Sequence, residues 1–434
     1  MALLSTFRNA WKIEDLRKKI IYTLFIILLF RIGACLPVPF ISGAALESFF
    51  SASGAGAGFG ESILGYFNML SGNALQSGTV FALTIQPYIN ASIIIQLLTF
   101  AIPALERLQK DGGEEGKRKL TQATRWTTVA IAIIQAVGYY VTLNSYNILD
   151  LAEGYGVFQM FVIIAVLVAG SCLVMWLGEC INEKGIGNGI SIILFAGIIS
   201  RGTDLIMYMI NEVMQGRWYM LIVVLVLGLA ILGFIVFMDS AERRIPIQYA
   251  KRQVGRKLYG GQSTHLPIKV AMSGVMPIIF TFAIVSLPAT IALFVPNSGY
   301  SNWIQNHFSS TTPLYMILVF VLIIAFNYFY ISIQYNTVEI ANNIKNNGGT
   351  IPGIRPGKPT SDFIHKVVNR VTLFGALFLG VIALLPYIFQ LIFPNSAGLA
   401  IGGTSVMILV SVALKTSQQL ESQMMMRNYK GFLE

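Results

Sequence analysis

The stretch Thr79–Ile102, TVFALTIQPYINASIIIQLLTFAI, decides the fold: it is 24 residues long and contains no charged side chain. As a helix rising 1.5 Å per residue it measures about 36 Å, enough to cross a hydrocarbon core of ~30 Å. Its interior nevertheless contains five interruptions, namely Gln86, Pro87, Asn90, Ser92 and Gln96. Because polar groups are costly at membrane depth, these residues predict a helix that faces other helices or water rather than lipid.

The segment just before it, Ser62–Gln76 (SILGYFNMLSGNALQ), is apolar but too short to span a bilayer. We interpret it as a re-entrant half-helix centred on Leu64–Leu75. Ser51–Gly60 (SASGAGAGFG) precedes it and has few side chains to order. This composition predicts a flexible linker on the outer side, which would let the half-helix move.

The composition places the chain among polytopic membrane proteins. Of its 434 residues, 55% are hydrophobic and 12% are charged, whereas soluble domains are about 25% charged. The three cysteines, Cys35, Cys172 and Cys180, lack the spacing of a disulfide framework or a zinc site. The first 19 residues are amphipathic and mixed in charge, so no cleavable signal peptide is expected.

Apolar runs bounded by charges, Gly or Pro predict ten membrane spans. Their approximate limits are 20–36, 79–102, 120–143, 157–178, 187–200, 218–238, 267–293, 313–335, 371–393 and 399–415. The two halves, spans one to five and spans six to ten, hold equal numbers of spans. An odd number of spans in each half permits a pair of inverted repeats.

All but three of the 30 Lys and Arg residues flank the spans on one side of the membrane. The exceptions are Arg31, inside span one, and Arg201 and Arg217, in loops of the opposite side. By the positive-inside rule the basic side is cytoplasmic, and ten spans place both termini there. The predicted organisation is a cytoplasmic N-terminus, an N-terminal half, an external connection, a C-terminal half and a cytoplasmic tail, with limits 1–19, 20–200, 201–217, 218–415 and 416–434.

Two of the predicted cytoplasmic loops are long. The loop 239–266 (DSAERRIPIQYAKRQVGRKLYGGQSTHL) is strongly basic. The loop 336–370 contains NNGGTIPGIRPGKPTSDF, whose Gly and Pro residues predict a constrained turn region rather than helix at its tip. Each loop fits either an ordinary solvated loop that obeys the positive-inside rule or a docking surface for an acidic partner or RNA.

The side chains of intramembrane enzymes are missing from the predicted spans. The histidines, His265, His307 and His365, fall in loops or at span ends, and no pair of Asp residues lies within a span. No P-loop is present, so nucleotide-driven work must come from a partner. An ion-coupled transporter of small solutes is an alternative because such proteins also use broken helices. However, they usually carry ionisable side chains at membrane depth, which are nearly absent here. A membrane insertase without a channel is a further alternative.

Several motifs resemble the SecY/Sec61-alpha family. TIQPYINASIIIQLL (Thr84–Leu98) resembles its second-helix motif, WLGECINEKGIGNGISII (Trp176–Ile193) the motif joining spans four and five, and FNMLSGNAL (Phe67–Leu75) its plug. YAKRQVG, GGQSTHLPIKV, GVMPIIF, IPGIRPG, IGGTS and RNYKGF follow in the family's order, so the resemblance covers essentially the whole chain. The sequence departs from the family at Thr84, where Gly is frequent, and at Gln86, where Met is common.

The resemblance implies an all-α polytopic membrane protein of ten transmembrane helices in two pseudo-symmetric inverted halves with a re-entrant plug. Such a protein is a channel of the bacterial plasma membrane that conducts unfolded secretory polypeptides and inserts membrane-protein helices through a lateral gate. It is not an enzyme and needs no cofactor or metal. The implied partners are SecE-type and SecG-type small membrane subunits, the SecA motor ATPase, the ribosome with its rRNA, signal sequences and nascent polypeptide, and membrane lipid.

The resemblance also implies four groups of site residues. The pore ring of aliphatic side chains corresponds to Ile85, Ile89, Ile190, Leu194, Ile279 and Ile408. The plug corresponds to Ser62, Phe67, Asn68, Leu70, Gly72 and Leu75. The lateral gate, between spans two and seven with spans three and eight beside them, is lined by Asn90, Ser92, Gln96 and Thr281. Docking of the motor or ribosome falls to Arg243, Arg244, Lys251, Arg252, Arg355 and Lys358.

Overall fold

The fold was analysed in a computed structural model. The structure describes residues 8–43, 45–46, 74–110, 112–145, 148–149, 156–200, 202–249, 252–254, 257–259, 263–294, 299–308, 312–392 and 403–430.

The described residues are mainly helical. The helices of the N-terminal half and the connection after it are α1 Glu14–Gly33, α2 Gln86–Ala101, α3 Pro103–Lys110, α4 Gly113–Ser145, α5 Gly156–Lys184, α6 Gly189–Ser200 and α7 Gly202–Met214. Those of the C-terminal half are α8 Trp218–Ser240, α9 Met276–Phe294, α10 Gly299–His307, α11 Pro313–Gln334, α12 Thr337–Asn346, α13 Lys358–Ile392 and α14 Gly403–Lys430. Thus a helix lies in each region where the sequence predicts a span.

Length and composition support the membrane class. Within the described ranges, five helices are long and apolar enough to cross a bilayer, and the bent pair α2–α3, with 106° between its members, would make a sixth. The helix α6 and the first part of α9 are apolar but shorter. The count of ten spans therefore stays a prediction.

In two of the predicted spans the helix begins later than the apolar run does. Residues 79–85 form turns, and α2 begins only at Gln86, so the prediction of one helix over 79–102 was wrong at its start. Pro87 lies in the first turn of α2, where a missing N–H costs nothing because it would have had no partner in the helix. Span seven begins at Met276 rather than at residue 267, because Ser263–Lys269 forms a strand.

The two halves of the chain share one hydrophobic core. It contains Phe30 of α1, Ile85 next to α2, Leu177 of α5, Ile278 of α9 and Ile408 of α14, all buried. Apolar side chains that pack on one another in this way stabilise the contact between helices mainly by van der Waals packing, since lipid is itself apolar. A second core joins α4 and α5 to residues 75–83.

The two long loops pair into one small domain. Strands β1 Glu242–Tyr249, β4 Ser263–Lys269 and β5 Gly349–Thr350 form an antiparallel sheet in the order β4-β1-β5, and β2 Arg252–Val254 pairs with β3 Lys257–Tyr259 in a separate ribbon. The pairs Gln248–Thr350 and Tyr249–Gly349 connect the first loop to the second. Below, the term two-loop domain means this three-stranded sheet with α12 and the first turns of α13.

The two-loop domain has a core of its own. Ile245 and Ile247 of β1, Ile268 of β4, Ile344 of α12 and Ile364 of α13 are buried together. Alternation along β1 puts its two isoleucines on the inner face, as a half-buried strand requires. The domain therefore has a packed core at the end of the helices and holds both loops in one fixed arrangement.

Candidate functional site

The six side chains of the predicted pore ring come together in the core that the two halves share. Ile85, Ile89, Leu194 and Ile408 are buried members of it, and Ile190 and Ile279 are partly buried and pack against it. These residues come from α2 and the residue before it, α6, α9 and α14. The structure thus places one or two aliphatic side chains from each of four separate helices in the same core cluster.

The start of α2 determines how Ile85 and Ile89 are presented. Ile85 is the N-cap residue of α2, and its carbonyl accepts a hydrogen bond from the Ile89 amide at 3.0 Å. The two side chains are therefore one turn apart on one face, as the spacing of four predicts. Just before them, Thr84 has a φ of 48°, in the left-handed region that disfavours a β-branched residue.

Asparagine side chains and a glycine build the turn between α5 and α6. Asn188 Oδ1 accepts a hydrogen bond from the Ser191 amide at 3.2 Å and so caps the start of α6. Asn182 Oδ1 accepts one from the Gly189 amide at 2.8 Å. Gly187 has a φ of 82°, which glycine adopts without steric cost. These contacts fix the first turn of α6 and hence the directions of Ile190 and Leu194.

Two glycines let α5 and α6 touch backbone to backbone. A Cβ on Gly189 would lie 1.9 Å from the Gly178 carbonyl oxygen, a distance that no side chain can occupy. A Cβ on Gly178 would lie 3.5 Å from Ile193 Cδ1 and 3.6 Å from Ile85 Cδ1. The motif of spans four and five therefore forms a close helix crossing on which Ile85 packs.

The predicted lateral gate corresponds to contacts between the two halves. Helix α9 contacts α2, α4 and α11, which matches the predicted neighbours of span seven. Asn90 is buried, and within the described part of the chain its Oδ1 atom has no hydrogen-bond partner. The Thr281 hydroxyl is also buried and donates to the Pro277 carbonyl of its own helix at 2.9 Å. Ser92 and Gln96 are partly exposed.

An aromatic contact at the gate escaped the sequence analysis. The rings of Phe100 in α2 and Phe329 in α11 meet edge to face, with centroids 5.4 Å apart. Edge-to-face pairs of this kind are a favoured geometry of aromatic rings. A signal for Phe100 was present in its spacing of four from Gln96, which puts both residues on one helix face.

The predicted plug falls almost entirely outside the described residues. Ser62, Phe67, Asn68, Leu70 and Gly72 lie there, and only Leu75 is described. Leu75 is buried in the second core, and its carbonyl accepts a hydrogen bond from the Tyr139 hydroxyl at 3.2 Å. The end of the predicted plug is thus tied to α4.

Four of the six predicted docking residues are exposed on or next to the two-loop domain. Arg243 and Arg244 lie on β1, where Arg244 Nε donates to Glu242 Oε1 at 2.6 Å. Arg355 lies in the turn before α13, and Lys358 is the first residue of that helix. Of the other two, Arg252 lies in β2, and Lys251 falls outside the described residues.

The turn around Arg355 is constrained, as the Gly and Pro content predicts. Gly353 and Gly357 have φ values of 80° and 103°, which only glycine adopts readily. The Arg355 carbonyl accepts a hydrogen bond from the Thr360 hydroxyl at 2.8 Å. The Arg355 side chain is therefore presented from a fixed backbone next to the sheet.

Comparisons with known proteins agree over nearly the whole chain. A sequence model of the family described as SecY matches residues 79–417. The protein translocase subunit SecY of Streptomyces galbus is 41% identical over 441 residues, which cover 99% of this chain and 100% of that protein.

Two solved structures share the architecture. A structure described as that of a protein conducting channel has a TM-score of 0.66 at 19% identity, covering 94% of this chain and 92% of that one. Sec61 in the canine ribosome-channel complex from the endoplasmic reticulum has a TM-score of 0.63 at 18% identity, with the same coverage. At this level of identity the likeness shows the fold.

Proposed function

Because the chain belongs to the SecY family, we propose that it is a protein-conducting channel that passes unfolded polypeptides across the plasma membrane of a bacterium. The observation that carries the proposal is the meeting of aliphatic side chains from α2, α6, α9 and α14 in one core between the halves. The alternative of an ion-coupled solute transporter has no support from the family. The protein itself does no chemistry, so the energy comes from a partner.

We assign the constriction to the six aliphatic residues of the predicted pore ring. Aliphatic side chains can close around a passing chain without offering hydrogen bonds that would hold it back. In the resting protein a dry apolar constriction opposes the passage of ions, as hydrophobic gates do. The plug, Ser62–Gln76, is proposed to sit below the ring on the outer side and to be displaced during transport.

We assign the lateral exit to the seam between α2 on one side and α9 and α11 on the other. Hydrogen bonds between membrane helices contribute on average ~0.6 kcal/mol each, whereas each buried methylene of an entering apolar helix contributes about 0.8 kcal/mol. A few leucine side chains therefore outweigh the polar contacts of the seam. This balance favours a gate that stays closed at rest and opens for an apolar signal sequence.

We assign partner docking to the basic face of the two-loop domain. Arg243, Arg244, Arg355 and Lys358 are exposed there on one packed body, so a partner can push on it without deforming it. An acidic surface of the SecA motor or the rRNA of a ribosome would complement these charges. The orientation with both termini cytoplasmic, ten spans, and SecE-type and SecG-type small subunits belong to the same proposal.

Site-specific photocrosslinking tests the central path. A photoreactive residue is placed at Ile89, Ile190 or Ile408, and a secretory protein is stalled part-way through export. We expect crosslinks to the stalled chain from all three positions and none from Leu229, an exposed residue of α8 that serves as the matched control. Export that proceeds without crosslinks from the three positions would remove the central path and return the ring to ordinary helix packing.

A further inference from the structure

Helix α7 joins the two halves of the chain and is held at the level of two membrane helix ends. It begins two residues after α6 ends and stops four residues before α8 begins. A residue spans at most ~3.6 Å of chain, so the start of α7 lies within about 7 Å of the end of α6 and its end lies within about 15 Å of the start of α8. The helix also contacts both α6 and α8. Its 13 residues rise only about 20 Å, too little to cross a bilayer.

One face of α7 is apolar and, among the described residues, is not covered by others. Ile206, Met207, Ile210, Val213 and Met214 are 58%, 61%, 48%, 41% and 82% exposed. The last four of these residues lie one, four, seven and eight positions after Ile206. This spacing places all five in a single stripe along the helix. Scattered exposed apolar residues need no explanation, but a continuous stripe of this kind marks a contact surface.

The stripe continues into an exposed apolar surface. The spanning part of α8 is almost entirely uncovered by protein, with only 6% of its apolar window buried. Its first two residues, Trp218 and Tyr219, are exposed aromatic side chains of the kind enriched at the boundary between membrane and water. Because α7 leads directly into this aromatic pair, its stripe would lie at the depth of lipid headgroups when α8 spans a bilayer.

The turn between the two helices supports this arrangement. The amides of Gln215 and Gly216 donate to the carbonyls of Asn211 and Val213, both at 3.0 Å, and close the last turn of α7. Gly216 has a φ of 81°, the left-handed conformation with which many helices end. The last turn of α7 thus closes at this glycine, and α8 starts as a separate helix two residues later.

We propose that α7 is an interfacial membrane helix whose apolar stripe, Ile206, Met207, Ile210, Val213 and Met214, inserts between the lipid headgroups and acyl chains of the leaflet at the α6–α8 junction. Amphipathic helices bind such boundaries by burying their apolar face about 5–10 Å deep. Asn211, which is exposed at the edge of the stripe, remains in the aqueous layer. One consequence rests on the proposed channel function: since α7 links the halves, the lipid would restrain how far they move apart.

Quenching of a fluorophore by brominated lipid tests the insertion. The full chain, with serine in place of Cys35, Cys172 and Cys180, carries one cysteine labelled with bimane at position 210 or at position 211. It is reconstituted in phosphatidylcholine vesicles whose acyl chains are either brominated or unmodified. We expect brominated lipid to lower the emission at position 210 at least about twofold and to leave that at position 211 nearly unchanged, since the apolar face alone enters the acyl region.

Two results would overturn the proposal. The first is equal emission loss at positions 210 and 211, which would mean that no face is selected. The second is no loss at position 210 together with protection from aqueous iodide, which would mean that protein, such as a second copy of the chain, covers the stripe. Quenching by brominated lipid and protection from iodide do not depend on transport. They therefore test the position of α7 even if the protein is not a channel.

A pair of variants separates insertion from misfolding. With bimane at position 214, Ile210→Asp should reduce quenching by the brominated lipid, because a carboxylate on the stripe opposes burial. Asn211→Asp, which adds the same charge at the edge, should leave the quenching at position 214 unchanged. If both variants reduced the quenching at position 214, or if neither did, while their thermal stability stayed equal, the stripe would not be what holds α7 in the membrane.

Discussion

Thr84 has a backbone conformation that its side chain disfavours. Its φ of 48° puts a β-branched residue in the left-handed region, at a position where the family often has Gly. The residue is buried, and its hydroxyl donates to the Leu83 carbonyl at 2.8 Å. The departure noted in the sequence therefore has a physical meaning, because this chain adopts a conformation suited to glycine with a residue that has a Cβ branch.

Substitutions at Thr84 should separate strain from hydrogen bonding. Thr84→Gly and Thr84→Val both remove the hydroxyl that donates to the Leu83 carbonyl, which costs about 1–3 kcal/mol in each variant. Only Thr84→Gly also relieves the left-handed strain of about 1–2 kcal/mol, of which unfolded-state entropy offsets ~0.4–1 kcal/mol. Thr84→Gly should therefore be more stable than Thr84→Val by up to about 1.5 kcal/mol. Thermal unfolding in nanodiscs measures the stability of both variants. Equal melting temperatures would show that the backbone of Thr84 is not strained.

The charge of Arg355 should matter for motor-driven export. Arg355→Glu reverses the charge of an exposed side chain on a constrained turn, so it should weaken docking of an acidic partner while leaving the fold intact. We expect export driven by SecA to fall at least about tenfold, the effect of ~1.4 kcal/mol in binding. Lys119→Glu, which makes the same charge reversal at an exposed position of α4, is the matched control. Unimpaired export by Arg355→Glu at equal expression would take Arg355 out of the docking site.

At the scale of elements, one buried polar network ties α11 and α13 to the turn before α9. The Ser273 hydroxyl donates to Asn327 Oδ1, and Asn327 Nδ2 donates to the Thr372 carbonyl at 3.0 Å. All three residues are buried. Gly375 permits the close approach, since a Cβ there would lie 2.5 Å from the Val270 carbonyl oxygen. The network fixes the base of α9, meaning the turn that joins the two-loop domain to the start of this helix.

Removing the centre of this network should destabilise the protein. Asn327→Leu leaves the buried Ser273 hydroxyl without its acceptor, and an unsatisfied buried group costs about 1–3 kcal/mol. The Thr372 carbonyl lies inside α13 and keeps its helical hydrogen bond. We expect a clear fall in melting temperature. Asn369→Leu, the same change at an exposed position of α13, should have little effect. If the two variants melted together, the network would not stabilise the base of α9.

At the scale of the whole molecule, the aromatic contact between Phe100 and Phe329 spans the two halves. The proposed lateral exit requires this contact to separate when an apolar helix leaves for lipid. In the chain without its three native cysteines, Phe100→Cys and Phe329→Cys joined by a short bismaleimide should hold the seam closed. We expect insertion of a membrane-protein helix to fall to background in the crosslinked protein.

The controls for this experiment are the two single-cysteine variants treated with the same reagent. Both should insert the helix as well as the untreated protein does, because neither can bridge the halves. Insertion at an unchanged rate by the doubly reacted protein would show that helices leave by another route. This outcome would leave the photocrosslinking result standing, because the crosslinks report on the central path and not on the exit.

The sequence by itself determined the membrane class and the region in which each apolar helix lies. Apolar runs act locally and add up over consecutive residues, so their sum is visible in composition alone. Pro87 in the first turn of α2 and Asn188 at the start of α6 act on their own neighbours in the same way. The motifs around them supplied the family and, through it, the site residues.

Only the tertiary structure decided which distant segments meet. An isoleucine facing lipid and one facing the core look alike in sequence, so the convergence of Ile85 and Ile408 could not be derived from spacing. The strands of the two-loop domain were missed because strand formation depends on a partner, and β1 pairs with β5 about a hundred residues away. The Phe100–Phe329 contact and the Asn327 network also join separate helices, and such contacts exist only once the helices have packed.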